Sequence, residues 1–294
     1  MNLNRTDGAR ALPDVWVHRR PAGVSYGPLV ERAGMLAVPR AVDPWLHVLL
    51  VLTRNEFRAR YRAQALGVLW SLLSPLVMMG ILTLVFTRVF RTGVPHFPVF
   101  LLIGMALWEW LASGLQAATS VFVVHADLVK RTVFPRHLLP IATMLSFGIN
   151  FLMEALIVAA MVVVFPSAYR LSPALLVVPV VLLFLVLLLT GLVMATSVLN
   201  IIYRDVAYLV TTSLTLLYWL TPIIYPLEAV PQPWQTLLRM NPLASMLVAL
   251  RGAVMLGQWP SPLTWVGMVV PSLLVLAIGR VIFRHYEHLA LDFV

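Results

Sequence analysis

Four arginines crowd into the nine positions from Arg54 to Arg62, in a sequence that otherwise carries little charge. Arg54, Arg58 and Arg62 recur every four residues and form one stripe of a helix, beside an apolar stripe of the same helix. This pattern predicts an amphipathic helix over 44–62 that lies along a membrane surface, with its arginines on anionic headgroups. Arg60 falls near the apolar side, so we expect its long side chain to reach back to the interface. The helix either anchors the topology alone or also flanks a partner protein.

Two carboxylates, Glu109 and Glu154, stand in the middle of apolar runs, "LWEWL" and "FLMEALIV". A carboxylate inside a membrane is costly and is by default a candidate functional group. A proton relay would need Asp, His or Lys deep in the same runs, and the sequence places none there. We therefore favour a protonated or hydrogen-bonded structural role over proton coupling.

A second cluster of charge lies in "VFVVHADLVKRTVFPRHLLP", residues 121–140. Its apolar residues would give a short helix one apolar edge, and prolines punctuate it. The segment is either an ordinary loop with basic residues or a docking helix for a cytoplasmic partner. On the second interpretation the contact residues are His125, Asp127, Lys130, Arg131, Phe134 and Arg136.

An adjacent pair of opposite charges, Arg204 and Asp205, follows the next long apolar run in "NIIYRDVAYLV". The pair either meets the same partner or caps and neutralises a helix end.

Aromatic residues gather toward the side of the membrane opposite the arginine-rich helix. Belts of Trp and Tyr at a membrane interface are the ordinary explanation. The functional alternative is a track of flat rings along which sugar rings slide. The candidates for that track are Trp108, Trp110, Tyr218, Trp219 and Tyr225.

Signatures of an enzyme are lacking in the sequence. A phosphate-binding P-loop needs Gly-x-x-x-x-Gly-Lys-Ser/Thr, and the only lysine is preceded by "HADLV". HExxH and Gly-x-Ser-x-Gly do not occur either. The sequence thus predicts neither a catalytic site nor a metal site, and any energy that drives the protein does not come from ATP bound in a P-loop of its own.

Composition assigns the chain to the polytopic membrane proteins. Of its 294 residues 61% are hydrophobic and 11% charged, and the mean hydropathy is +0.90. Soluble domains carry about a quarter charged residues, so this surface could not face water. The chain has no cysteine, which excludes disulfides and thiolate chemistry. Its basic balance marks cytoplasmic ends of spans rather than nucleic-acid binding.

Six stretches satisfy the length of about 20 apolar residues that a transmembrane helix needs. The predicted fold is therefore all-α and integral to the membrane, with an interface helix and short re-entrant helices near 233–240 and 243–256. The predicted spans are 68–90, 97–118, 138–165, 173–200, 206–225 and 263–283. Residues 1–43 are polar and are predicted to be a flexible cytoplasmic tail, and 44–294 the transmembrane domain.

Basic residues set the predicted orientation. With the N-terminus in the cytoplasm, 16 of the 21 Lys and Arg residues fall on the cytoplasmic side and 5 outside. The positive-inside rule then places both termini in the cytoplasm.

Several blocks in order resemble one family, the membrane subunits of type-2 ABC exporters, in their O-antigen and teichoic-acid polysaccharide branch (Wzm- and TagG-like permeases). The resemblance covers about residues 44–294. It rests on "RNEFRARYRAQALGVLWSLLSP", "HADLVKRTVFPRHLLP", "IYRDVAYLV", "TPIIYP", "NPLASMLVALR" and "FRHYEHLALDFV". The second block departs from the common pattern, with His125 and Asp127 in place of asparagines and His137 in place of glutamate.

The resemblance implies a half-transporter of the bacterial inner membrane. Two copies would pair, each docked on a separate subunit that binds ATP and Mg²⁺ and meets the interface helix and the 121–137 segment. The first and fifth spans would line the channel between the copies. The implied substrate is a long glycan on a polyprenyl diphosphate, whose headgroup Arg54, Arg58, Arg60 and Arg62 would attract.

Three rivals remain at this point. The first is an exporter of a small molecule, drug or lipid in the same family. The second is a polyprenyl-dependent glycosyltransferase, for which Asp127 is poor support, and the third an ion-coupled transporter, for which the sequence shows no inverted repeat. The Arg-rich, Ala/Val/Leu-rich composition is compatible with an exporter of a galactan lipid.

Overall fold

The computed structural model describes residues 44–62, 67, 69–91, 93–127, 135–164 and 172–288. Lys130, Arg131, Phe134, the tail 1–43 and the closing residues from 289 lie outside this part of the chain. Every regular element within it is helical, which confirms the all-α prediction. The helices are α1 (Pro44–Tyr61), α2 (Leu69–Leu84), α3 (Phe97–Thr119), α4 (Val121–Val124), α5 (Leu138–Val164), α6 (Val177–Ile202), α7 (Val206–Leu220), α8 (Trp234–Arg239), α9 (Pro242–Arg251) and α10 (Pro262–Tyr286).

Five helical stretches are long and apolar enough to cross a membrane. They are Leu69–Val89, Phe97–Thr119, Leu138–Val164, Pro173–Ile202 and Pro262–Tyr286. The first includes a π-helical end at Val85–Val89 and the fourth a 3₁₀ turn at Pro173–Leu176. Each matches one of the predicted spans to within a few residues.

The predicted fifth span is shorter than expected. Helix α7 has 15 residues, about 22 Å at 1.5 Å per residue, against a hydrocarbon core of about 30 Å. It ends because Thr221 is extended, as the residue before a proline tends to be. The count of six full spans is therefore not confirmed, although the helix itself is where the sequence predicts it.

Helix α3 is the centre of the bundle. Most of it is buried, and it packs chiefly against α5 and also contacts α6 and α7. In contrast, no residue of α2 is buried, and in α7 only Val210 and Leu214 are. The chain thus divides into a packed core of α3, α5, α6 and α10 and two helices that present most of their surface outward.

The amphipathic helix α1 packs against the first turns of α5. Leu52 contacts Leu138 and Ala142 in a small buried cluster, and the Thr53 hydroxyl donates to the Leu49 carbonyl within the helix. The predicted interface helix is present, and it is fixed to the bundle by its apolar stripe.

The segment between α7 and α10 contains the two short helices that the sequence predicts, α8 and α9, the latter continued by a π-helical turn at Gly252–Leu256. The buried Arg251 at the end of α9 fixes this segment. Its guanidinium donates to the carbonyls of Phe100 (3.1 and 3.2 Å), Pro222 (2.6 Å) and Ile223 (2.6 Å). It also lies 3.4 Å above the Phe100 ring centroid. A single side chain therefore joins α9, the start of α3 and the connection after α7.

Helices α6 and α10 form the most extensive pair in the bundle and meet at two glycines. A methyl group on Gly279 would overlap the carbonyl of Gly191, and one on Gly191 would lie 2.5 Å from the carbonyl oxygen of Val275. Backbone cannot yield as a flexible side chain can, so this seam requires glycine on both helices.

Replacement of Gly279 by alanine is expected to separate the two helices. We expect Gly279→Ala to lower stability by about 1–3 kcal/mol, as overpacking does in other cores. This loss of stability is measured by heating the protein in detergent and determining the folded fraction by size-exclusion chromatography. Gly80→Ala is the matched control, because nothing lies within 4 Å of its added methyl. An unchanged melting temperature for Gly279→Ala would contradict the close seam.

Candidate functional site

Helices α3 and α7 run antiparallel and contact each other, and the seam between them is called the groove below. At one end Gln116 and Thr211 line the same cavity, and at the other the rings of Trp108 and Tyr218 meet edge to face at 5.3 Å. These two points are eight residues apart on α3 and seven on α7, or about 10–12 Å along the helix axes. The groove therefore connects a polar cavity with an aromatic cluster.

The inner end of the groove is a cavity of about 490 Å³. It is open between α1, α3, α4, α5 and α7. Six of its lining residues carry a hydroxyl, an amide or an ionisable group, and they are Glu56, Gln116, Ser120, His125, Thr143 and Thr211. Such groups exchange hydrogen bonds readily with a hydroxyl-rich ligand.

An ion pair closes one side of this cavity. His125 Nε2 lies 3.3 Å from a carboxylate oxygen of Glu56, a charged pair when the imidazole is protonated. The contact joins α1 to the residue that follows α4. Of the predicted partner contacts, His125 is thus tied to the interface helix, while Asp127 is exposed.

Glu109 and Ser113 lie on α3 between the cavity and the aromatic cluster in sequence. The Ser113 hydroxyl donates to the Glu109 carboxylate, one helical turn away, and Glu109 is exposed. Glu154 on α5 is instead 2% exposed, and its Oε2 has no hydrogen-bond partner among the described residues. The two acids, alike in the sequence, therefore lie in different surroundings.

The outer end of the groove is an aromatic cluster of four of the predicted residues. Trp108 contacts Tyr218, and Tyr218 contacts Trp219 edge to face at 5.4 Å. The Tyr225 hydroxyl donates to the Trp219 carbonyl at 3.0 Å. Trp219 is 64% exposed, so the cluster offers a free ring face.

The structure places the fifth aromatic candidate, Trp110, away from this cluster. Its indole N–H donates to the Met144 carbonyl at 3.1 Å, and its ring packs on Phe151 at 5.1 Å and against Gly148. Trp110 is 7% exposed. Residues 108 and 110 are about 200° apart around a helix, so only one of them can face the groove.

The four arginines between positions 54 and 62 lie in two different environments. Arg54, Arg58 and Arg62 are exposed, as the predicted stripe requires. Arg60 turns into the bundle, where it donates to the Ser146 hydroxyl at 2.6 Å and lies 3.3 Å above the Phe147 ring centroid. The prediction that Arg60 reaches back to the interface is replaced by this contact with α5.

Burial lowers the pKa of the Arg60 guanidinium, against the opposing effects of Tyr61, Glu56 and Glu109. An arginine nevertheless stays charged in proteins. Beside it, the Tyr61 hydroxyl donates to Asn150 Oδ1 at 3.1 Å. Ser146 and Asn150 are one turn apart, so α5 offers a polar ladder to the end of α1.

Arg204 and Asp205 are exposed at the turn between α6 and α7. Asp205 makes no side-chain cap for α7. The Asn200 side chain performs that role, since its Oδ1 accepts from the Ala207 N–H at 3.1 Å. The helix-capping alternative for Asp205 is therefore not supported, and both charges remain available to a partner.

The start of α5 and the end of α10 meet at the same end of the bundle. Arg136 donates to the Glu287 carbonyl at 3.3 Å, and the His137 ring lies edge-on to Phe283 at 6.3 Å. Burial lowers the pKa of His137, with Glu287 opposing this shift and Arg280 adding to it. Burial therefore favours the neutral form of the imidazole.

Several residues of the groove escaped the sequence analysis, which looked for charge and aromatic rings. Gln116 and Thr211 are neutral, yet they form the inner cavity. Their signal was helical spacing, since Glu109, Ser113, Gln116 and Ser120 recur at intervals of three and four on α3. In the described part of the chain no three His, Asp or Glu side chains are grouped to hold a metal ion.

Comparison with known proteins identifies the family. The sequence profile described as "ABC-2 type transporter" matches residues 47–255, more than half of the chain. The chain belongs to the ABC-2 type transporter family. The match begins in α1 and ends in the π-helical turn after α9, so it includes both helices of the groove.

Individual members of the ABC-2 family support the same assignment. The chain is 30% identical to the O-antigen export system permease protein RfbA of Klebsiella pneumoniae over 82% of its own length and 94% of the relative. It is 29% identical to the protein of that name from Myxococcus xanthus, over 73% and 83%. Identity to the polysialic acid transport protein KpsM of Escherichia coli is 25%, over 79% and 91%. This ABC-2 chain is thus similar to permeases along most of its length.

The two arginine environments predict different mutational effects in this ABC-2 chain. Arg60→Ala removes a partly buried hydrogen bond from a charged group, so we expect it to cost about 1–3 kcal/mol of stability. Arg58→Ala, two residues away and exposed, should change stability by less than about 0.5 kcal/mol. Thermal unfolding of both variants in the same detergent tests the difference. Equal losses would show that Arg60 does not hold α1 on α5.

The lowered pKa of His137 predicts that the protein is less stable in acid. Its pKa is lowered in the folded chain, so the unfolded chain binds more protons as the pH falls below about 6.5, and stability then decreases. Unfolding temperatures at pH 7.5 and 5.5 should therefore differ less for His137→Gln than for the wild type. The same acid-induced decrease in both proteins would contradict this role of His137.

Proposed function

We propose that the chain is the membrane-spanning half of an ATP-driven exporter that moves polysaccharide linked to polyprenyl diphosphate across the bacterial inner membrane. The chain supplies the path and the coupling, and it is not itself an enzyme. Two copies form the path. A separate cytoplasmic subunit docks on each copy and binds ATP and Mg²⁺.

The observation that carries this proposal is the groove between α3 and α7. Its hydrogen-bonding inner cavity and its exposed aromatic rings are the two kinds of surface that a sugar chain uses, through its hydroxyls and its ring faces. Glu109 and Ser113 lie between them along α3. A drug or lipid path would not need a polar cavity followed by an aromatic cluster.

The relatives favour the same substrate class. Two carry the name O-antigen export permease and one the name polysialic acid transport protein, so polysaccharide is common to the names. Lipid-linked galactan is one specific cargo within this class that the composition suggests.

The pairing of two copies is supported by what each copy leaves uncovered. Helices α2 and α7, the first and fifth apolar helices, are the least buried. A second copy placed against them would close the groove on its open side. The path then lies between the copies, with both termini in the cytoplasm.

The ATP-binding partner is proposed to act on this chain at the contact between α1 and the end of α4. The Glu56–His125 contact joins these helices at the wall of the inner cavity. A partner that pushes on the 121–137 segment would shift α1 and open the cavity. Asp127, Arg136, Arg204 and Asp205 are the contacts proposed for that partner, with Lys130, Arg131 and Phe134.

The exposed arginines Arg54, Arg58 and Arg62 are proposed to attract the diphosphate headgroup. Their guanidinium groups form paired hydrogen bonds with phosphate oxygens. Arg60 is omitted from this role because its charge is used on α5.

Reconstitution tests the function as a whole. The chain, purified with the ATP-binding protein encoded beside it, is placed in vesicles with lipid-linked polysaccharide. We expect this substrate to raise ATP turnover and to become accessible to enzymes on the opposite face. Stimulation by drugs or lipids alone would contradict the proposed cargo. ATP hydrolysis by the chain without its partner would contradict the division of labour.

The aromatic cluster gives a sharper prediction. Loss of one ring contact worth about 1 kcal/mol corresponds to roughly a five-fold change, so Trp219→Ala should slow export by about that factor. Trp234→Ala is the matched control, because Trp234 is equally exposed but lies on α8 outside the groove. Export rates are compared at equal amounts of assembled complex. Equal rates for the two variants would exclude a sugar track on this cluster.

A further inference from the structure

A second, larger cavity lies at the opposite end of α3 from the inner cavity. It has a volume of about 960 Å³ and opens between the residues before α3, the connection 222–228, helices α8 and α9, and the segment 257–264. Phe100 near the start of α3 lines it, whereas Gln116 near the end of α3 lines the inner one. Tyr225 of the aromatic cluster directly precedes Pro226, which lines this outer cavity. The aromatic cluster therefore adjoins the outer cavity in sequence.

Arg251 forms a rigid wall of the outer cavity and not its binding group. Its guanidinium is already bonded to the carbonyls of Phe100, Pro222 and Ile223. Those contacts fix the shape of the cavity and occupy most of the N–H donors of the guanidinium.

Arg239, by contrast, brings a guanidinium to the cavity with hydrogen-bonding capacity left over. Its Nε is buried and has no partner among the described residues. The backbone there is fixed, because the Arg239 carbonyl accepts from the Ser245 hydroxyl at 2.8 Å and would meet any methyl added to Gly267. A buried donor without a partner costs about 1–3 kcal/mol, so the described residues leave this guanidinium incompletely satisfied.

The remaining polar lining suits a sugar. Gln258 and Glu228 offer an amide and a carboxylate, His96 offers an imidazole, and Trp259 an indole that is largely exposed. An aromatic face with amide and carboxylate groups recognises a ring that carries hydroxyls on its edge. An arginine beside them adds a preference for a carboxylate or phosphate on that ring.

We propose that this outer cavity is a binding subsite for an acidic saccharide unit, with Arg239 on its anionic group and Trp259 under its ring. The volume lies in the range of ordinary ligand sites, about 300–1,000 Å³. The subsite deepens the proposed function, on which it rests, by receiving the polysaccharide after it passes the aromatic cluster. Its ligand is a glycan bearing negative charge.

Binding of short soluble saccharides tests the subsite without transport. The full-length chain in phosphatidylcholine nanodiscs is titrated with trigalacturonate and with neutral maltotriose, followed by saturation-transfer NMR. We expect trigalacturonate to bind at least ten-fold more tightly. Arg239→Gln should weaken trigalacturonate binding about ten-fold or more, because a hydrogen bond to a charged group is lost. Trp259→Ala should weaken both ligands.

Matched controls come from the same chain. Arg88→Gln and Trp234→Ala alter an exposed arginine and an exposed tryptophan that do not line the cavity, and both should leave binding unchanged. Equal binding of trigalacturonate to wild type and Arg239→Gln would overturn the assignment, as would equal affinity for the two trisaccharides. Loss of binding when phosphatidylglycerol is added would assign the cavity to a lipid headgroup and also overturn it.

The two proposals fail separately. A complex that exports lipid-linked polysaccharide while the chain binds neither trisaccharide overturns the subsite and leaves the transport function. A chain that binds trigalacturonate through Arg239, in a complex that moves no polysaccharide, overturns the transport function and leaves the subsite.

Discussion

A backbone that breaks its helix away from water must find partners for its carbonyls, and in this chain one arginine supplies them. Helix α7 stops at Leu220, and the segment after it turns back through prolines that have no N–H to offer. Arg251 donates to two carbonyls of that segment and to Phe100 at the start of α3. Five donors in a fixed planar group are what this geometry needs, and a lysine could not reproduce it. The positions of Tyr225, of the outer cavity and of the mouth of the groove all depend on this arginine.

The cost of placing charged groups among apolar helices also explains where Arg60 and Glu109 lie. In a bundle of apolar helices a charged group is tolerated where it is bonded or where it faces an open path. Arg60 meets the first condition through Ser146 and the Phe147 ring. Glu109 is also bonded, to the Ser113 hydroxyl, and is exposed on the surface of α3. Polar residues therefore mark the seam between α1 and α5 and the wall of the groove.

The division between packed and exposed helices bears on which parts of the protein can move relative to one another. Helices α6 and α10 are held at backbone contact by Gly191 and Gly279, and α3 is buried between its neighbours. Such a core moves as one body, because close-packed interiors transmit displacement and do not absorb it. Helix α1 packs on this body along α5, with further contacts through Arg60 and Tyr61. Helix α1 also reaches the wall of the inner cavity, where Glu56 and His125 meet.

The sequence by itself determined the class of the protein, the all-helical fold, the places of the apolar helices and the amphipathic helix before them, because hydrophobic length and periodicity are local properties. It also marked the short helices after α7, since their prolines act on adjacent backbone. It did not predict the length of α7 or the turn of Arg60 into the bundle. Nor did it separate Trp108 from Trp110, or show that Gln116 and Thr211 share a cavity. Only the tertiary structure decided these points, because which face of a helix meets which neighbour depends on residues far apart in the chain.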